Sequence, residues 1–325
     1  MQSIFDFQQV FIEYLKQFSL LNKSPRNLYK PVQYILDLGG KRLRPVLTLM
    51  SCEAFNSSCT KALDAALAIE MFHNFTLLHD DIMDDAPLRR GKETVHEKWD
   101  VSTGILSGDA MLILSNILLE NYSGDIYRNL MLLFNKTALQ VCEGQQLDID
   151  FETRDDVTID EYLKMIEYKT AVLVGAAMKM GAIIANAPEE DQNLIYEFGK
   201  LLGIAFQLQD DYLDTFGNTE SFGKQIGGDI VENKKTYLFI KSLELCSNSD
   251  KEQLLHLYSI SPKHNEDKIE AVKQIFTASG SANAVKDRIQ FYTSRAFEVL
   301  NELNISSEKE AELRQFGTWL MTRNV

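Results

Sequence analysis

The chain has 325 residues, of which 45% are hydrophobic and 25% charged, a composition typical of a globular protein. Its 33 Lys and Arg residues against 47 Asp and Glu residues give a net charge of −14 at pH 7. This balance argues against a nucleic-acid partner and against docking to an anionic membrane surface, because both need a basic face. An anionic small-molecule substrate is not excluded, since bound divalent metal ions invert the local field.

The cysteines and the N-terminus bear on the compartment. Cys52, Cys59, Cys142 and Cys246 form no C-x-x-C pair, and their spacing indicates neither a disulfide framework nor a zinc site. We therefore expect a reducing, cytoplasmic location. The start "MQSIFDFQQV" has no basic region before an apolar one, and no run of eighteen apolar residues occurs, so we expect neither a signal peptide nor a membrane span.

Helical periodicity dominates the first half of the chain. Apolar residues recur at positions 4, 7, 11, 15 and 18, which is a helical stripe. The Ala/Leu-rich segment 60–85 predicts a long helix that Thr60 caps and that ends before Pro87. The segment 108–122 is almost wholly apolar and predicts a buried helix.

The second half is also predicted to be helical. The segment 158–186 opens with Thr158 and Glu161 in a capping-box arrangement, and a helix at 189–216 follows Pro188. Alternating β-branched runs and hairpin turns are nearly absent, and no Ser/Gly linker divides the chain. We therefore predict one all-α domain over residues 1–325. The glycine-containing stretch 217–235 is its one conspicuous loop, and long loops are often functional.

The first acidic cluster is "DDIMDD", residues 80–85. Asp80 and Asp84 are four positions apart, so their carboxylates share one helix face and repel each other. Such a pair offers the hard oxygen ligands that Mg²⁺ prefers. Asp81 and Asp85 point elsewhere and are predicted to support the pair or to be exposed. The plainer interpretation is a solvated helix end, but acidic residues there oppose the helix dipole.

Three basic side chains accompany this cluster. His73 lies two turns before Asp80 on the same stripe, where a satisfied core histidine is the plainer interpretation. Arg89 and Arg90 follow the predicted helix end. They either form a local ion pair with Asp84 or Asp85, or bind phosphate through the bidentate geometry of guanidinium.

A second acidic cluster repeats the pattern. "FQLQDDYLD" places Asp210, Asp211 and Asp214 at the same spacing, with Gln207 on the stripe of Asp210 and Asp214. A ferritin-like di-metal site would need Glu-x-x-His pairs, and neither cluster provides one. Two aspartate clusters therefore suggest several Mg²⁺ ions held against a polyphosphate.

These motifs resemble those of the trans-isoprenyl diphosphate synthases, the family of farnesyl and geranylgeranyl diphosphate synthases. The resemblance covers nearly the whole chain. The matching blocks, in order, are "GGKRLRP" (39–45), "DDIMD" (80–84), "KT" (169–170), "FQ" (206–207), "DDYLD" (210–214), "GK" (223–224) and "DIVENKKT" (229–236). It implies the isoprenoid synthase fold, an antiparallel helix bundle around a deep central cavity, usually as a homodimer.

The resemblance also implies roles for individual residues. The isopentenyl diphosphate would be held by Lys41, Arg44, His73 and Arg90. The allylic diphosphate would be held by Arg89, Lys169, Thr170, Phe206, Gln207, Lys224 and Lys234. Only the family pattern assigns this role to Lys234 rather than to its neighbour Lys235. Asp80, Asp84 and Asp210 would ligate Mg²⁺ directly, and Asp214 would support them through water.

The implied reaction joins isopentenyl diphosphate to dimethylallyl, geranyl or farnesyl diphosphate. The allylic substrate ionises, the new carbon–carbon bond forms, and a proton is lost. Asp80, Asp84, Asp210, Arg89, Lys169 and Lys224 would assist the departing diphosphate. The loop 217–235 would close over the phosphates as a lid.

Product length would be set by side chains below the first acidic cluster. Position 75 is aromatic, position 76 is Thr, and Phe72 lies a further turn down. This combination resembles producers of geranylgeranyl (C20) more than of farnesyl (C15) diphosphate. Phe75 could instead pack in a helix interface and leave the cavity floor open.

Four alternatives remain. The enzyme could be a farnesyl or longer-chain synthase. A terpene cyclase would share the ionisation step but would lack the second aspartate motif and GGKRLRP. A non-catalytic subunit of a heteromeric synthase would tend to lose its aspartate motifs. A purely structural helical protein would leave the ordered motif blocks unexplained.

Overall fold

The structure, a computed structural model, describes residues 4–217, 226–262 and 264–322. Apart from one short hairpin, the regular elements in these ranges are helices, so the all-α prediction is confirmed. The α-helices are α1 (Ile4–Gln17), α2 (Arg26–Asp37), α3 (Leu43–Ala54), α4 (Leu63–Met83), α5 (Val95–Lys98), α6 (Val101–Leu119), α7 (Gly124–Glu152), α8 (Ile159–Ile166), α9 (Val172–Ile184), α10 (Glu189–Phe216), α11 (Gly228–Val231), α12 (Tyr237–Leu245), α13 (Asn248–Leu257), α14 (Glu266–Ala278), α15 (Ser281–Asn301) and α16 (Ser307–Thr322).

The backbone contacts group the chain into two compact units. The first contains Met1–Asn135 with Ala176–Ile195, and the second contains Lys136–Gly175 with Tyr196–Val325. The single domain over residues 1–325 stays a prediction.

Helix α4 is the central helix of the first unit. It packs mainly against α6 and α3, and the side chains from Ala65 to Phe72 are all buried. Burial around the whole helix explains why its apolar residues do not form a single stripe. Helix α6 approaches α4 closely. A Cβ atom at Gly104 would lie 2.8 Å from the Ile82 side chain, and one at Gly108 would overlap His79.

The predicted start of α4 is wrong. Thr60 lies in a 3₁₀ turn, Cys59–Ala62, where its Oγ1 is 2.8 Å from Oγ of Ser58. Thr60 therefore does not cap α4, which begins only at Leu63. The tighter turn takes the place of the first predicted helical turn, a common arrangement at helix N-termini.

Helix α6 differs from its prediction in extent and burial. It begins at Val101 rather than 108, because the Asp100 carboxylate accepts a hydrogen bond of 2.8 Å from the Thr103 amide and caps it. One face packs on α4, but on the other Ile105, Ile113 and Ile117 are 44%, 58% and 48% exposed. The prediction of a buried helix is therefore wrong.

By length and apolar composition alone, α6 could cross a membrane. It is the one such helix among the described residues. A single helix of this kind is weak support for a membrane span, since core helices of water-soluble proteins have the same length and composition.

The second unit contains the predicted capping box. The Thr158 hydroxyl accepts a hydrogen bond from the Glu161 amide, and Glu161 Oε2 accepts one of 2.9 Å from the Thr158 amide. Helix α10 spans the predicted 189–216. The segment 158–186 is not one regular helix, however, because a π-helical turn, Glu167–Ala171, separates α8 from α9.

Candidate active site

A β-hairpin in the first unit presents two arginines. Strand β1 (Leu88–Arg89) pairs antiparallel with β2 (Lys92–Glu93). The turn between them is Arg90–Gly91, with φ of +52° and +73°. Positive φ at both central residues is what a type I′ turn requires. The hairpin was not predicted, because Arg replaces the usual Asn or Asp before Gly.

Arg90 is held by the glycine pair of GGKRLRP. Its Nη1 donates a hydrogen bond to the carbonyl oxygen of Gly39. A Cβ atom at Gly40 would lie 2.7 Å from the guanidinium carbon of Arg90. Gly40 therefore leaves room that a side chain would fill, and two sequence blocks fifty positions apart form one substructure.

His73 lies among arginines. Its Nε2 is 3.0 Å from Nη1 of Arg44, which can only donate, so Nε2 accepts. Burial and then the charges of Arg44, Arg90, Arg89 and Arg42 hold the pKa of His73 well below its usual value. His73 is therefore a neutral imidazole with its proton on Nδ1, and its role in holding the isopentenyl diphosphate stays a prediction.

Arg42 has a structural partner that the sequence did not indicate. It is 6% exposed, and its guanidinium donates to Glu70 Oε1 and to the carbonyl oxygen of Leu36. The Asn74 side chain donates to Glu70 Oε1 at 3.2 Å. This buried network anchors the start of α3, which carries Arg44.

Arg89 forms an ion pair, but not with the residues considered from sequence. Its Nε lies 2.8 and 2.7 Å from the two oxygens of Asp81, and its Nη2 lies 2.6 Å from one of them. Asp81 is 3% exposed. The ion pair of Arg89 thus goes to Asp81, which faces the hairpin, while the Asp85 side chain is 97% exposed.

The other first-unit candidates lie on α4 and at its end. Asp80 is half-buried and Asp84 is exposed. The Asp84 amide donates to the Asp80 carbonyl oxygen at 2.9 Å, so helical geometry continues through both residues and their carboxylates share a face. Lys41 is exposed in the segment before α3.

The predicted chain-length residues pack along α4. The ring of Phe75 lies 5.5 Å from that of Phe72 and 4.8 Å from that of His79. Phe72 also contacts Phe134, at 5.3 Å. Thr76 is half-buried, and its hydroxyl donates to the His73 carbonyl oxygen at 2.8 Å. Phe75 is thus part of an aromatic cluster.

The second unit contains a cavity of about 100 Å³ among α7, α8, the π-helical turn, α10 and the segment around α11. Its polar lining combines carboxylates with cations and amides. The principal polar groups are those of Asp148, Lys169, Thr170, Gln207, Asp211, Asp229 and Lys234.

The π-helical turn aims the "KT" pair into this cavity. Lys169 donates to Asp148, and the Thr170 hydroxyl donates to Gln207 Oε1 at 3.1 Å. A Cβ atom at Gly144 would overlap the Lys169 backbone, and one at Gly203 would lie 2.7 Å from Cα of Ala171. The two glycines let α7 and α10 reach the widened turn. Such turns occur frequently at functional sites.

Asp211 is the buried acceptor of the cavity wall. Tyr162 donates to its Oδ2, and the Gln207 side chain donates to its Oδ1 at 2.9 Å. Burial raises the pKa of Asp211, and the neighbouring Asp210 and Asp214 raise it further. Burial, Asp211 and Asp214 likewise raise the pKa of Asp229. The nearby donors and cations therefore do not fully compensate the ionised forms of Asp211 and Asp229.

Asp214 organises the segment after α10. Its Oδ2 accepts a hydrogen bond of 3.0 Å from the Asp229 amide, and its carbonyl oxygen accepts one of 2.7 Å from Gly227. Asp214 thus fixes the start of α11 as well as being a predicted metal-binding residue. Asp210 and Phe206 are half-buried on α10.

The two lysines after α11 have different environments. Lys234 lies 2.8 Å from Glu232 and 4.0 Å from Asp229. Lys235 lies 3.2 Å from Asp155, with its ammonium 4.9 Å from the ring of Phe239. Lys234 therefore lies beside carboxylates of the cavity wall and Lys235 packs on an aromatic side chain, although both lysines line the cavity. The assignment of Lys234, rather than Lys235, to the allylic diphosphate stays a prediction.

A buried lysine supports the segment between α11 and α12, which contains Lys234. Lys268 is 3% exposed, and its ammonium donates to the Asn233 side chain at 2.6 Å and to the carbonyl oxygen of Ile260 at 3.0 Å. Asn233 has φ of +58°. Lys268 therefore holds the residue that precedes Lys234, and nothing in the local sequence indicated this contact.

The donor set fits hard divalent cations. In the second unit, Asp210 and Asp214 adjoin the buried Asp211 and Asp229, and in the first unit Asp80 and Asp84 share a face. Carboxylate oxygens are the ligands of Mg²⁺, and a cation would offset the crowded negative charge. Asp148, Tyr162 and Asp229 are site residues that sequence reasoning did not single out.

The predicted GK block cannot be located in the part of the chain that the structure describes. Gly223 and Lys224 lie outside the described residues, so the structure does not test their roles. Of the loop 217–235, the structure describes residue 217 and residues 226–235.

The first unit thus contains an arginine-rich cluster and the second a carboxylate-rich cavity, and such groups suit phosphate-bearing molecules and divalent cations. The family model described as "Polyprenyl synthetase" matches residues 25–276. The chain therefore belongs to the polyprenyl synthetase family, and it is a trans-prenyltransferase.

Individual relatives agree with this assignment. A geranylgeranyl diphosphate synthase of Methanosarcina mazei is 39% identical over 301 residues, covering 92% of this chain and 90% of the relative. A geranylfarnesyl diphosphate synthase of Natronomonas pharaonis is 36% identical, covering 82% and 81%. A crystal structure of a geranylgeranyl pyrophosphate synthase superposes with a TM-score of 0.95 at 53% identity, covering 99% of both chains.

Proposed function

We propose that the enzyme condenses isopentenyl diphosphate with an allylic diphosphate and releases mainly geranylgeranyl diphosphate. The observation that carries this proposal is the cavity of the second unit. There Lys169, Thr170 and Gln207 meet the buried carboxylates Asp211 and Asp229. Cations, hydrogen-bond donors and carboxylates together suit a diphosphate and its counter-ions, and an apolar substrate alone would need none of them.

The cationic cluster of the first unit binds the second substrate. Arg44 and Arg90 supply charge for the isopentenyl diphosphate, with Lys41 from the exposed segment nearby. Neutral His73 keeps Nε2 on Arg44 and so orients that guanidinium. Guanidinium groups match phosphate oxygens in bidentate geometry, which fixes the substrate as well as neutralising it.

Asp80, Asp84 and Asp210 would hold Mg²⁺, with support from Asp214. When bound, Mg²⁺ supplies positive charge that stabilises the departing diphosphate. Lys169, Arg89 and Lys234 add to this neutralisation, and Lys224 is proposed for the same role. Because these cations are positioned before reaction, they cost no reorganisation as negative charge develops on the leaving group.

The chain-length proposal concerns Phe75. Its ring packs against Phe72 and His79, so it is held rigidly at the predicted level of the product tail. Thr76 presents a smaller side chain next to it. The geranylgeranyl-named relatives support a C20 product, whereas the geranylfarnesyl-named relative supports one five carbons longer.

The test is a product analysis. The enzyme is incubated with Mg²⁺, isopentenyl diphosphate and dimethylallyl, geranyl or farnesyl diphosphate in turn, and the dephosphorylated products are separated by chromatography. We expect a C20 alcohol from all three starters. A C15 end product, or one of C25 and longer, would contradict the proposed length. Absence of condensation in every mixture would contradict the function and favour a non-catalytic subunit.

The Phe75→Ala variant tests the floor residue in the same assay, with Phe134→Leu as a control that alters a ring of the same cluster outside the predicted chain-length residues. We expect Phe75→Ala to shift products toward C25 and longer. An unchanged distribution would remove Phe75 from this role.

We also propose a homodimer that uses the exposed face of α6. Val101, Ile105, Ile113 and Ile117 are spaced four or eight positions apart, so they form one stripe. A stripe of large apolar side chains in contact with water is typical of a protein interface. A second copy of the chain is the occupant that the resemblance to homodimeric synthases favours.

A further inference from the structure

Three potential metal ligands meet beyond the end of α4. Asp85, His96 and Glu97 each offer one ligand atom, and the three atoms lie within 4.8 Å of one another. His96 Nε2 is 4.0 Å from Asp85 Oδ1 and 3.9 Å from Glu97 Oε1. None of these residues has a part in the proposed prenyl transfer.

His96 is a buried polar side chain aimed at this cluster. The side chain is 4% exposed, and within the described residues neither ring nitrogen has a hydrogen-bond partner. Leaving a buried polar group without a partner is unfavourable, and each such group calls for an explanation. Two carboxylates stand about 4 Å from Nε2, which is too far for a hydrogen bond and suits a cation between them.

The local backbone fixes the three positions. Asp85 has φ of +48°, so the chain turns sharply after α4. The Thr94 hydroxyl donates to the Ala86 carbonyl oxygen at 2.8 Å, and the Thr94 amide donates to the Pro87 carbonyl oxygen at 3.2 Å. These bonds tie the turn that carries Asp85 to α5, which carries His96 and Glu97.

We propose that Asp85, His96 and Glu97 bind one divalent transition-metal ion of the Zn²⁺ type, with water in the fourth position. Zn²⁺ takes such ligands at about 2.0–2.2 Å, which places tetrahedral ligand atoms roughly 3.4 Å apart. The carboxylates must therefore move inward by about 1 Å or less. They can do so by side-chain rotation, since Asp85 is 97% and Glu97 49% exposed.

The ligand types separate this site from the aspartate clusters. Imidazole suits Zn²⁺ and its neighbours, whereas Mg²⁺ is bound through oxygen. Asp80, Asp84 and Asp210 offer oxygen alone. Millimolar Mg²⁺ therefore occupies the aspartate clusters and leaves the imidazole site to a transition metal.

The experiment is equilibrium dialysis of the full chain against micromolar Zn²⁺ in millimolar Mg²⁺, with the bound metal counted by elemental analysis. Co²⁺ serves as a spectroscopic probe of the same site. We expect one tightly bound Zn²⁺ per chain and the intense visible absorption of four-coordinate Co²⁺. Both should disappear in His96→Asn.

Control variants locate the ion. Asp85→Asn and Glu97→Gln change only exposed carboxylates, so they test the site even if His96→Asn fails to fold. Each should weaken Zn²⁺ binding by more than about tenfold, since even outer-shell partners contribute that much. His256→Asn, which removes an exposed imidazole, and the Asp80→Asn/Asp84→Asn double variant should keep the bound ion. Binding that survives in Glu97→Gln and Asp85→Asn, or that vanishes in the double variant, would overturn the proposal.

Discussion

Arg90 illustrates how residues distant in sequence position a side chain that is proposed to bind substrate. Its left-handed backbone in the hairpin turn and its contact with Gly39 and Gly40 hold the guanidinium close enough to His73 for its charge to lower the pKa of that imidazole. The motif GGKRLRP and the pair Arg89–Arg90 were each visible in the sequence. Their contact was not, because it depends on a hairpin that lacks the usual turn residues.

Gly40→Ala tests this contact, and Gly39→Ala is its matched control. Both positions have positive φ, so each substitution strains the backbone, but only a Cβ at Gly40 meets Arg90. A displaced guanidinium loses a charged contact to phosphate, which is worth about 1.5–3 kcal/mol. We expect Gly40→Ala to raise the KM for isopentenyl diphosphate roughly tenfold or more by this loss.

The readouts are steady-state kinetics and urea unfolding. Gly39→Ala should show a similar loss of stability with a much smaller change in KM. Equal KM changes in the two variants would mean that backbone strain, rather than Arg90, determines substrate binding.

At the scale of secondary-structure elements, the sequence predicted a helix start correctly where the residues that cap or precede the helix are neighbours in the chain. Pro188 precedes α10, and the Thr158–Glu161 box opens α8, as the sequence indicated. The start of α6 was not predicted, because Gly104 weakens the helical pattern. In the structure, Gly104 leaves space for the Ile82 side chain. The π-helical turn depends on close approaches at Gly144 and Gly203, which no local pattern reveals.

The capping box makes a prediction about pH. The Thr158 amide and then Arg154 lower the pKa of Glu161 from 4.5 to about 2. The folded state thus binds this proton less readily than the unfolded state, so the contribution of Glu161 is fully present above pH 4.5. It is lost as the pH falls from there toward 2.

Urea unfolding at several pH values measures this effect. We expect Thr158→Ala to cost about 1 kcal/mol at pH 7, the usual value of an N-cap side chain. Glu161→Gln should flatten the decline of stability below pH 4.5. A variant whose stability falls as steeply as that of the native chain would show that other carboxyl groups dominate the acid response.

The exposed stripe of α6 predicts the effect of a charge. Ile113→Glu would place an uncompensated carboxylate in the proposed interface, and burying it there is costly. We expect a dimer in the native protein and a monomer in the variant by sedimentation equilibrium. Leu255→Glu, at an exposed position of α13, should leave the dimer intact. A native monomer would contradict the proposed interface.

At the scale of the whole molecule, net charge predicted little about the site. The chain carries −14, yet four arginines lie close enough to His73 that their charges add to burial in lowering its pKa. Local arrangement can therefore concentrate positive charge in a strongly acidic chain, which the overall composition does not reveal. The two aspartate motifs, by contrast, indicated the family from sequence, because each motif lies within a few consecutive residues.

The central claim is that both aspartate clusters serve one prenyl-transfer step. Its most direct test is the turnover number for isopentenyl diphosphate incorporation at saturating Mg²⁺ in Asp80→Asn and in Asp210→Asn, with urea unfolding as the control for folding. Removing a group that stabilises the negative charge on the leaving diphosphate lowers kcat by on the order of 10²-fold or more. The account predicts that each variant loses at least that much turnover while its unfolding free energy stays within about 1 kcal/mol of native. Native turnover in either variant, or native turnover of the unaltered enzyme in excess chelator, would contradict it.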